Sequence, residues 1–269
     1  MDFIQAIIIA VVEGLTEFLP ISSTGHMVFA ASLLGIEKDA FTKLFIESIQ
    51  FGAILSVIVL YWRKFFDFKR LNLYVKLFIA FLPAAIIGVL LKKHIDMVLE
   101  KPMFIAVITF LGGILLLFVD KWFKNNQNDN VDNMTHKNSL VVGTFQLLAI
   151  ILPGFSRSAA TIIGGMQQKF TRKAAAEFSF FLAVPTLAGA FAKSMWDAYK
   201  ETPELLSANN MKLLAVGNIV AFVVAMIAIK TFISVLTKYG FKGFGYYRII
   251  IGAIILILLF AGIDLNFVG

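Results

Sequence analysis

Residues 13–26 read EGLTEFLPISSTGH. The ten residues before them are nearly all apolar, and so are residues 27–34. Two carboxylates, a proline, three consecutive hydroxyl side chains, a glycine and a histidine thus interrupt an oily segment that normally excludes such groups. A second stretch, LPGFSRSAAT over residues 152–161, does the same. With one inserted residue, Leu19-Pro20 and Ser22-Ser23-Thr24-Gly25 match Leu152-Pro153 and Ser156-Arg157-Ser158-Ala159. Each is a Leu-Pro, a hydroxyl-rich turn and a small residue.

The surrounding chain defines the class. Of 269 residues, 59% are hydrophobic and 15% charged, with mean hydropathy +0.85. Soluble domains carry about 25% charged residues, so the chain reads as an all-α polytopic membrane protein. The absence of cysteine excludes disulfides, thiol nucleophiles and thiolate metal sites. The net charge of +7 sits in the gaps between apolar segments, as a topology signal and not a nucleic-acid surface. Asp2 in place of a basic n-region, with no small-residue cleavage site after it, argues against a cleavable signal peptide.

Eight apolar stretches follow one another: about 3–36, 44–62, 73–91, 102–119, 140–168, 174–192, 213–229 and 249–263. Six are about one span long; 3–36 and 140–168 are longer and broken. Pro83 and Pro185 are expected to kink their segments. Each broken stretch precedes three unbroken ones. The chain therefore divides into a first repeat (about 1–122), a polar linker (about 123–138) and a second repeat (about 139–269). If each broken stretch is re-entrant, each half crosses the membrane three times, and the second is inverted relative to the first. The expected architecture is two inverted repeats, each a re-entrant broken-helix pair plus three transmembrane helices. Gaps 63–70, 169–173 and 230–248 hold Arg63, Lys64, Lys69, Arg70, Lys169, Arg172, Lys173, Lys230, Lys238, Lys242 and Arg248 against a single acid. Positive-inside bias makes these gaps cytoplasmic and puts both termini outside.

Few ionisable groups lie well inside apolar stretches: Glu13, Glu17, His26, Glu47, Arg157 and Glu177. Each is costly there unless paired or wet, which makes each a functional candidate. Glu13 and Glu17 share one helical face. They suit a cation site, against the plainer reading of a wet helix end. Pro20 to Gly25 stops one helix and starts another. Ser22, Ser23 and Thr24 are good N-caps, and the free N–H groups of the new helix suit an anion. His26 can serve as nucleophile, proton shuttle or simple hydrogen-bonder. Arg157 stands as the only arginine buried in an apolar stretch, and its fork suits phosphate, against the plainer reading that it neutralises Glu13 or Glu17, which does not exclude phosphate binding. Ser156, Ser158 and Thr161 surround it, with Thr161 one turn on and on the same face. Glu47 and Glu177 read as structural acids near helix starts, with Gln50 one turn beyond Glu47 and within reach of the site.

EGLTEFLPISSTGH and PGFSRSAAT resemble the two signature motifs of the bacitracin-resistance family of undecaprenyl-diphosphate phosphatases, and the likeness covers the whole chain. Ala159 departs from the glycine common in that family. The resemblance implies hydrolysis of a C55 isoprenyl diphosphate to the monophosphate and inorganic phosphate on the outer face of the bacterial inner membrane. That reaction recycles the lipid carrier of wall synthesis and confers bacitracin resistance. It also implies a divalent cation, Mg²⁺ or Ca²⁺, on Glu13 and Glu17, and no organic cofactor. The expected catalytic groups are Glu17, Ser23, His26 and Arg157, with either Ser23 or His26 as nucleophile. Ser22, Thr24, Ser156, Arg157, Ser158 and Thr161 are expected to hold the diphosphate. A homodimer is compatible with the sequence, which does not fix the oligomeric state. The rival reading is a transporter or flippase for an anionic lipid phosphate, because broken helices in inverted repeats also build carriers. A structural membrane subunit is the plainest alternative.

Overall fold

A computed structural model describes residues 1–67, 71–91, 97–98 and 101–262. Lys69 and Arg70, most of the 92–101 gap and the C-terminal end lie outside the described residues, and with them the expectation for the C-terminus. Among the described residues, ten principal helices carry the fold: α1 Phe3–Thr16, α2 Ser23–Leu33, α3 Ala40–Leu60, α4 Leu71–Leu90, α5 Pro102–Trp122, α6 His136–Ile151, α7 Arg157–Gln167, α8 Arg172–Glu201, α9 Ala208–Tyr239 and α10 Lys242–Phe260. No strand occurs among the described residues; a single bridge joins Asn128 to Phe170. The order short, short, long, long, long occurs twice.

The six long helices, α3–α5 and α8–α10, are each long and apolar enough to cross a membrane. They are the six unbroken stretches. At 1.5 Å per residue a 21-residue helix such as α3 or α5 spans about 30 Å, the thickness of a bilayer core. On α4, Val75, Phe78, Leu82, Ile86 and Val89 are exposed at helical spacing, a face suited to lipid. α8 and α9 outrun their apolar stretches, because hydropathy marks only the part meant for hydrocarbon. Pro83 and Pro185 lie inside continuous helices and end neither. Membrane helices tolerate proline when neighbouring groups satisfy the freed backbone.

Both breaks form where the sequence predicts, and by the same device. α1 starts on an Asp2–Gln5 capping box and stops at Thr16; α6 starts on a Thr135–Asn138 box and stops at Ile151. The next helix opens on a serine N-cap with positive φ: Ser22 (φ +71) for α2 and Ser156 (φ +79) for α7. Each serine Oγ accepts the N–H three residues on, from Gly25 at 3.4 Å and from Ala159 at 3.3 Å. Gly154, the inserted residue's neighbour, takes φ +97, a conformation open to glycine at little cost.

Packing crosses between the halves. α1 packs on α9 and α6 on α4; α3 lies against α8 and α5 against α10. The last two pairs are antiparallel. Glu47 accepts from Ser194 near one end of α3, and Lys64, just beyond its other end, pairs with Glu177. Lys64 also sits over the Phe181 ring, on which Tyr61 and Phe65 pack edge-on. In α5 and α10, a Cβ on Gly113 would meet the Gly245 carbonyl at 2.8 Å, and one on Gly252 would meet Phe110 at 2.9 Å. Such small-residue seams let membrane helices approach closely.

The linker is strapped to the bundle. Val131 and Met134 are buried, and Asn126 Nδ2 donates to the Met166 (2.5 Å) and Phe170 (2.9 Å) carbonyls in the α7–α8 turn. Lys76 Nζ donates to the Asp132 carbonyl at 2.9 Å. Nearby, Asp120 pairs with Arg172 at 2.7 Å and accepts the Phe241 N–H at 2.8 Å, tying α5, α8 and the α9–α10 turn.

Candidate active site

The two breaks meet on one carboxylate. Glu17 caps the end of α1 and is 6% exposed. Its Oε2 accepts the Ser23 hydroxyl at 2.5 Å, and its Oε1 accepts Arg157 Nη2 at 2.8 Å. Ser23 and Arg157 are the first residues of α2 and α7, so α1 joins the starts of the two half-helices. Arg157 also donates from Nη1 to the Ser179 carbonyl at 3.3 Å, while its Nε is buried without a partner.

These groups line a cavity of about 330 Å³. Of the sequence candidates, Glu17, Ser22, Ser23, Thr24, Ser156 and Arg157 face it. The N-terminal N–H groups of α2 and α7 open beside it, a setting that favours an anion.

Other candidates point elsewhere. Ser158 donates to the Leu19 carbonyl at 2.6 Å. Thr161, wholly buried, hydrogen-bonds back to the Arg157 carbonyl at 2.9 Å and to Ser179 Oγ at 2.6 Å. Neither lines the cavity. The shared helical face does not bring Thr161 to the site, because its short hydroxyl is satisfied by its own preceding turn. His26 does not line the cavity either. Its Nδ1 lies 2.7 Å from the Ser22 carbonyl and its Nε2 2.8 Å from the Tyr247 hydroxyl, with the two rings stacked at 5.5 Å. A carbonyl only accepts, so Nδ1 carries the proton and Nε2 accepts from the tyrosine.

Glu13 is fully buried one turn before Glu17, and neither carboxylate oxygen has a hydrogen-bond partner. No group of three or more His, Cys, Asp or Glu side chains that could hold a metal occurs among the described residues. Glu13 does not line the cavity and both Glu17 oxygens are engaged, so what speaks for a hard divalent cation, which commonly takes one or two carboxylates, is the wholly unsatisfied Glu13 carboxylate beside Glu17.

Glu47, read as structural, lines the cavity while accepting from Ser194; Gln50 lines it as well. Glu177 pairs with Lys64, in keeping with a structural role. Lys43, Gln146 and Thr186 also line it and carry no sequence motif.

Arg157 is not the only arginine buried in a helix: Arg248, counted above among the cytoplasmic charges, is 1% exposed inside α10. Its Nη1 donates to the carbonyls of Phe155 (2.7 Å) and Pro20 (3.2 Å). Its Nη2 reaches Gly154 (2.8 Å) and Ile108 (3.4 Å), and its Nε reaches Thr109 (3.2 Å). One guanidinium thus staples both breaks to α5. Room for it exists because Gly112 has no side chain: a Cβ there would overlap Arg248 Nη2. The Gly112-Gly113, Gly245 and Gly252 seam was the only signal in the sequence, since Arg248, six positions after Lys242, reads as an interfacial charge.

The fold and the site together define a multi-pass helical membrane protein with a buried carboxylate–serine–arginine centre suited to an anionic group. A family model, Bacitracin resistance protein BacA, matches residues 6–254. The chain belongs to that family. It is 54% identical over 261 residues to the undecaprenyl-diphosphatase of Flavobacterium johnsoniae, covering 97% of each chain. It is 50% identical over 281 aligned positions to that of Porphyromonas gingivalis strain W83, covering 98% and 99%, and 50% identical over 270 positions to that of Bdellovibrio bacteriovorus, covering all of both. These relatives are bacterial, and the chain is a multi-pass bacterial membrane protein.

Proposed function

We propose that this protein hydrolyses undecaprenyl diphosphate to undecaprenyl phosphate and inorganic phosphate, recycling the lipid carrier of wall synthesis and so conferring bacitracin resistance. The observation that carries the reading is Glu17, which holds the Ser23 hydroxyl on one oxygen and Arg157 on the other. A serine paired with a carboxylate is an activated nucleophile. Glu17 takes the Ser23 proton as Oγ attacks the terminal phosphorus. The bond from that phosphorus to the bridging oxygen breaks, and undecaprenyl phosphate leaves. Water then cleaves the seryl phosphate to release inorganic phosphate. Arg157, with its unused Nε and the α2 and α7 N-termini, stabilises the charge on the transferred group.

Both ring nitrogens of His26 are engaged away from the cavity, which favours Ser23 over His26 as nucleophile. His26 acts by holding the Ser22 carbonyl, and with it the strained cap that aims Ser23. Glu13 and Glu17 would hold Mg²⁺ or Ca²⁺, which when bound neutralises phosphate charge and withdraws electrons from phosphorus.

The antiparallel α3/α8 and α5/α10 pairs support inversion of the second repeat, with helices in corresponding places running opposite ways. The cavity is lined by Lys43 near the start of α3 and Gly88 near the end of α4, far from the Arg63–Lys64 and Lys169–Lys173 gaps. By positive-inside bias this is the periplasmic end.

The test is phosphate release from undecaprenyl diphosphate by the detergent-solubilised protein with Mg²⁺ or Ca²⁺, where no gradient exists. Release is expected, and Ser23→Ala should abolish a trapped, acid-stable phosphoenzyme while His26→Gln still forms it. No release by the intact protein favours the lipid-phosphate carrier, and a phosphoenzyme on histidine overturns the Ser23 assignment.

A further inference from the structure

α1 and α6 hold corresponding places, each ending at a Leu-Pro break. Seven residues before Pro20 stands Glu13; seven before Pro153 stands Gln146. A carboxylate thus stands in one half where its neutral amide analogue stands in the other. Their surroundings differ too. Glu13 is sealed away, whereas Gln146 lines the cavity while only 1% exposed. Its Oε1 lies 3.3 Å from Thr186 Oγ1, whose one proton it shares with the Leu182 carbonyl at 2.9 Å. Its Nε2 is buried with no partner.

A buried amide that leaves both N–H bonds unused is unfavourable unless a ligand supplies acceptors. An NH₂ group only donates, so its partner is an oxygen and not a cation. Arg157 and Ser23 stand at the helix breaks, on other walls of the same cavity. Gln146 reaches that space from within α6, about two turns before the Leu-Pro break, and not from a helix start.

We propose that Gln146 is a further substrate-binding residue, donating through Nε2 to an oxygen of the phosphate that stays on the prenyl chain, with Thr186 positioning its amide. That the ligand is a diphosphate rests on the phosphatase reading; the donor subsite itself does not. Its contact is the same before and during reaction, so it acts on binding more than on the chemical step.

The full chain in detergent with Mg²⁺ serves for the test. Binding of methylene diphosphonate, a diphosphate that cannot be hydrolysed, is measured by calorimetry alongside undecaprenyl diphosphate hydrolysis. Gln146→Met, nearly isosteric, should weaken diphosphonate binding and raise KM by about 10-fold or more, as for a lost hydrogen bond to a charged group, with kcat within about twofold. Gln146→Glu should do at least as much harm by placing a carboxylate against phosphate. Thr186→Val should move KM the same way, and the double variant with Gln146→Met should be no worse than Gln146→Met alone. Unchanged diphosphonate binding in Gln146→Met overturns the subsite, as does tighter binding in Gln146→Glu, which would make the position a cation ligand. Should the wild type bind diphosphonate through Gln146 but release no phosphate, the phosphatase reading fails and the subsite stands. A wild type that neither binds nor hydrolyses overturns both.

Discussion

Replacing Arg248 with Met keeps a long apolar stem and removes every donor. Three of the five carbonyls it serves, Pro20, Gly154 and Phe155, lie in the helix breaks; Ile108 and Thr109 already belong to the regular helix α5. Gly154 keeps only a long bond from Thr109 Oγ1 at 3.4 Å. Each carbonyl left buried and unpaired costs about 1–3 kcal/mol, so the gross loss is about 3–9 kcal/mol. Two effects reduce it. The buried cation no longer has to be desolvated, and hydrogen bonds measured within membrane proteins average only about 0.6 kcal/mol. A net loss of about 2–4 kcal/mol follows, which at about 2–4 °C per kcal/mol lowers Tm by roughly 4–16 °C. Activity should suffer more, because Ser23 and Arg157 leave from the two stapled loops and a shift near 1 Å costs about 100-fold. Arg248→Lys, with three donors in place of five, should fall between. The assays are thermal unfolding in detergent and hydrolysis well below Tm. An Arg248→Met protein with wild-type Tm and kcat would refute the staple.

The same geometry makes Gly112→Ala damaging, since the added methyl displaces the guanidinium. It should lower kcat about 100-fold for a stability loss of only about 1–3 kcal/mol, whereas Gly243→Ala, with open space around it, should be silent in both assays. Glu13→Gln removes a buried carboxylate that nothing satisfies. The cation-free variant should melt within a few degrees of the wild type in chelator, because a buried unpaired carboxylate takes up a proton and the amide is its neutral analogue. Its half-activating Mg²⁺ concentration should rise about tenfold or more, because ligand charge sets affinity. A lower Tm with unaltered cation dependence would remove Glu13 from the cation site.

Legibility followed the chemistry of each position. A proline beside three hydroxyls inside apolar sequence has few readings, so both breaks and the six spans could be located without coordinates. Glu17, Ser23 and Arg157 were visible because ionisable and hydroxyl groups are rare there. Arg248 was hidden because an arginine six positions after Lys242, at a segment edge, is what positive-inside bias leads one to expect. Its burial is created by glycines more than a hundred residues away in sequence. His26 and Thr161 show the limit of face arguments: periodicity gives a direction from the axis but not which neighbour waits there. For His26 that neighbour is Tyr247 of α10; for Thr161 it is Ser179 of α8. Gln146 carried no signal, as an amide in an apolar helix resembles any buried hydrogen-bonder.

The two ends of the α3/α8 pair are unequal in one respect that bears on the carrier alternative. Lys64 follows Glu47 by seventeen residues, and Ser194 follows Glu177 by the same interval. One end therefore closes on a hydroxyl and leaves space lined by Glu47; the other is bolted by an ammonium–carboxylate pair under which Tyr61, Phe65 and Phe181 interlock. A rocking carrier needs two doors of similar energy, so that each can be open in turn. With one end of the pair held by that ion pair and the other opening onto the cavity, the described contacts fit a single entrance better than two alternating ones.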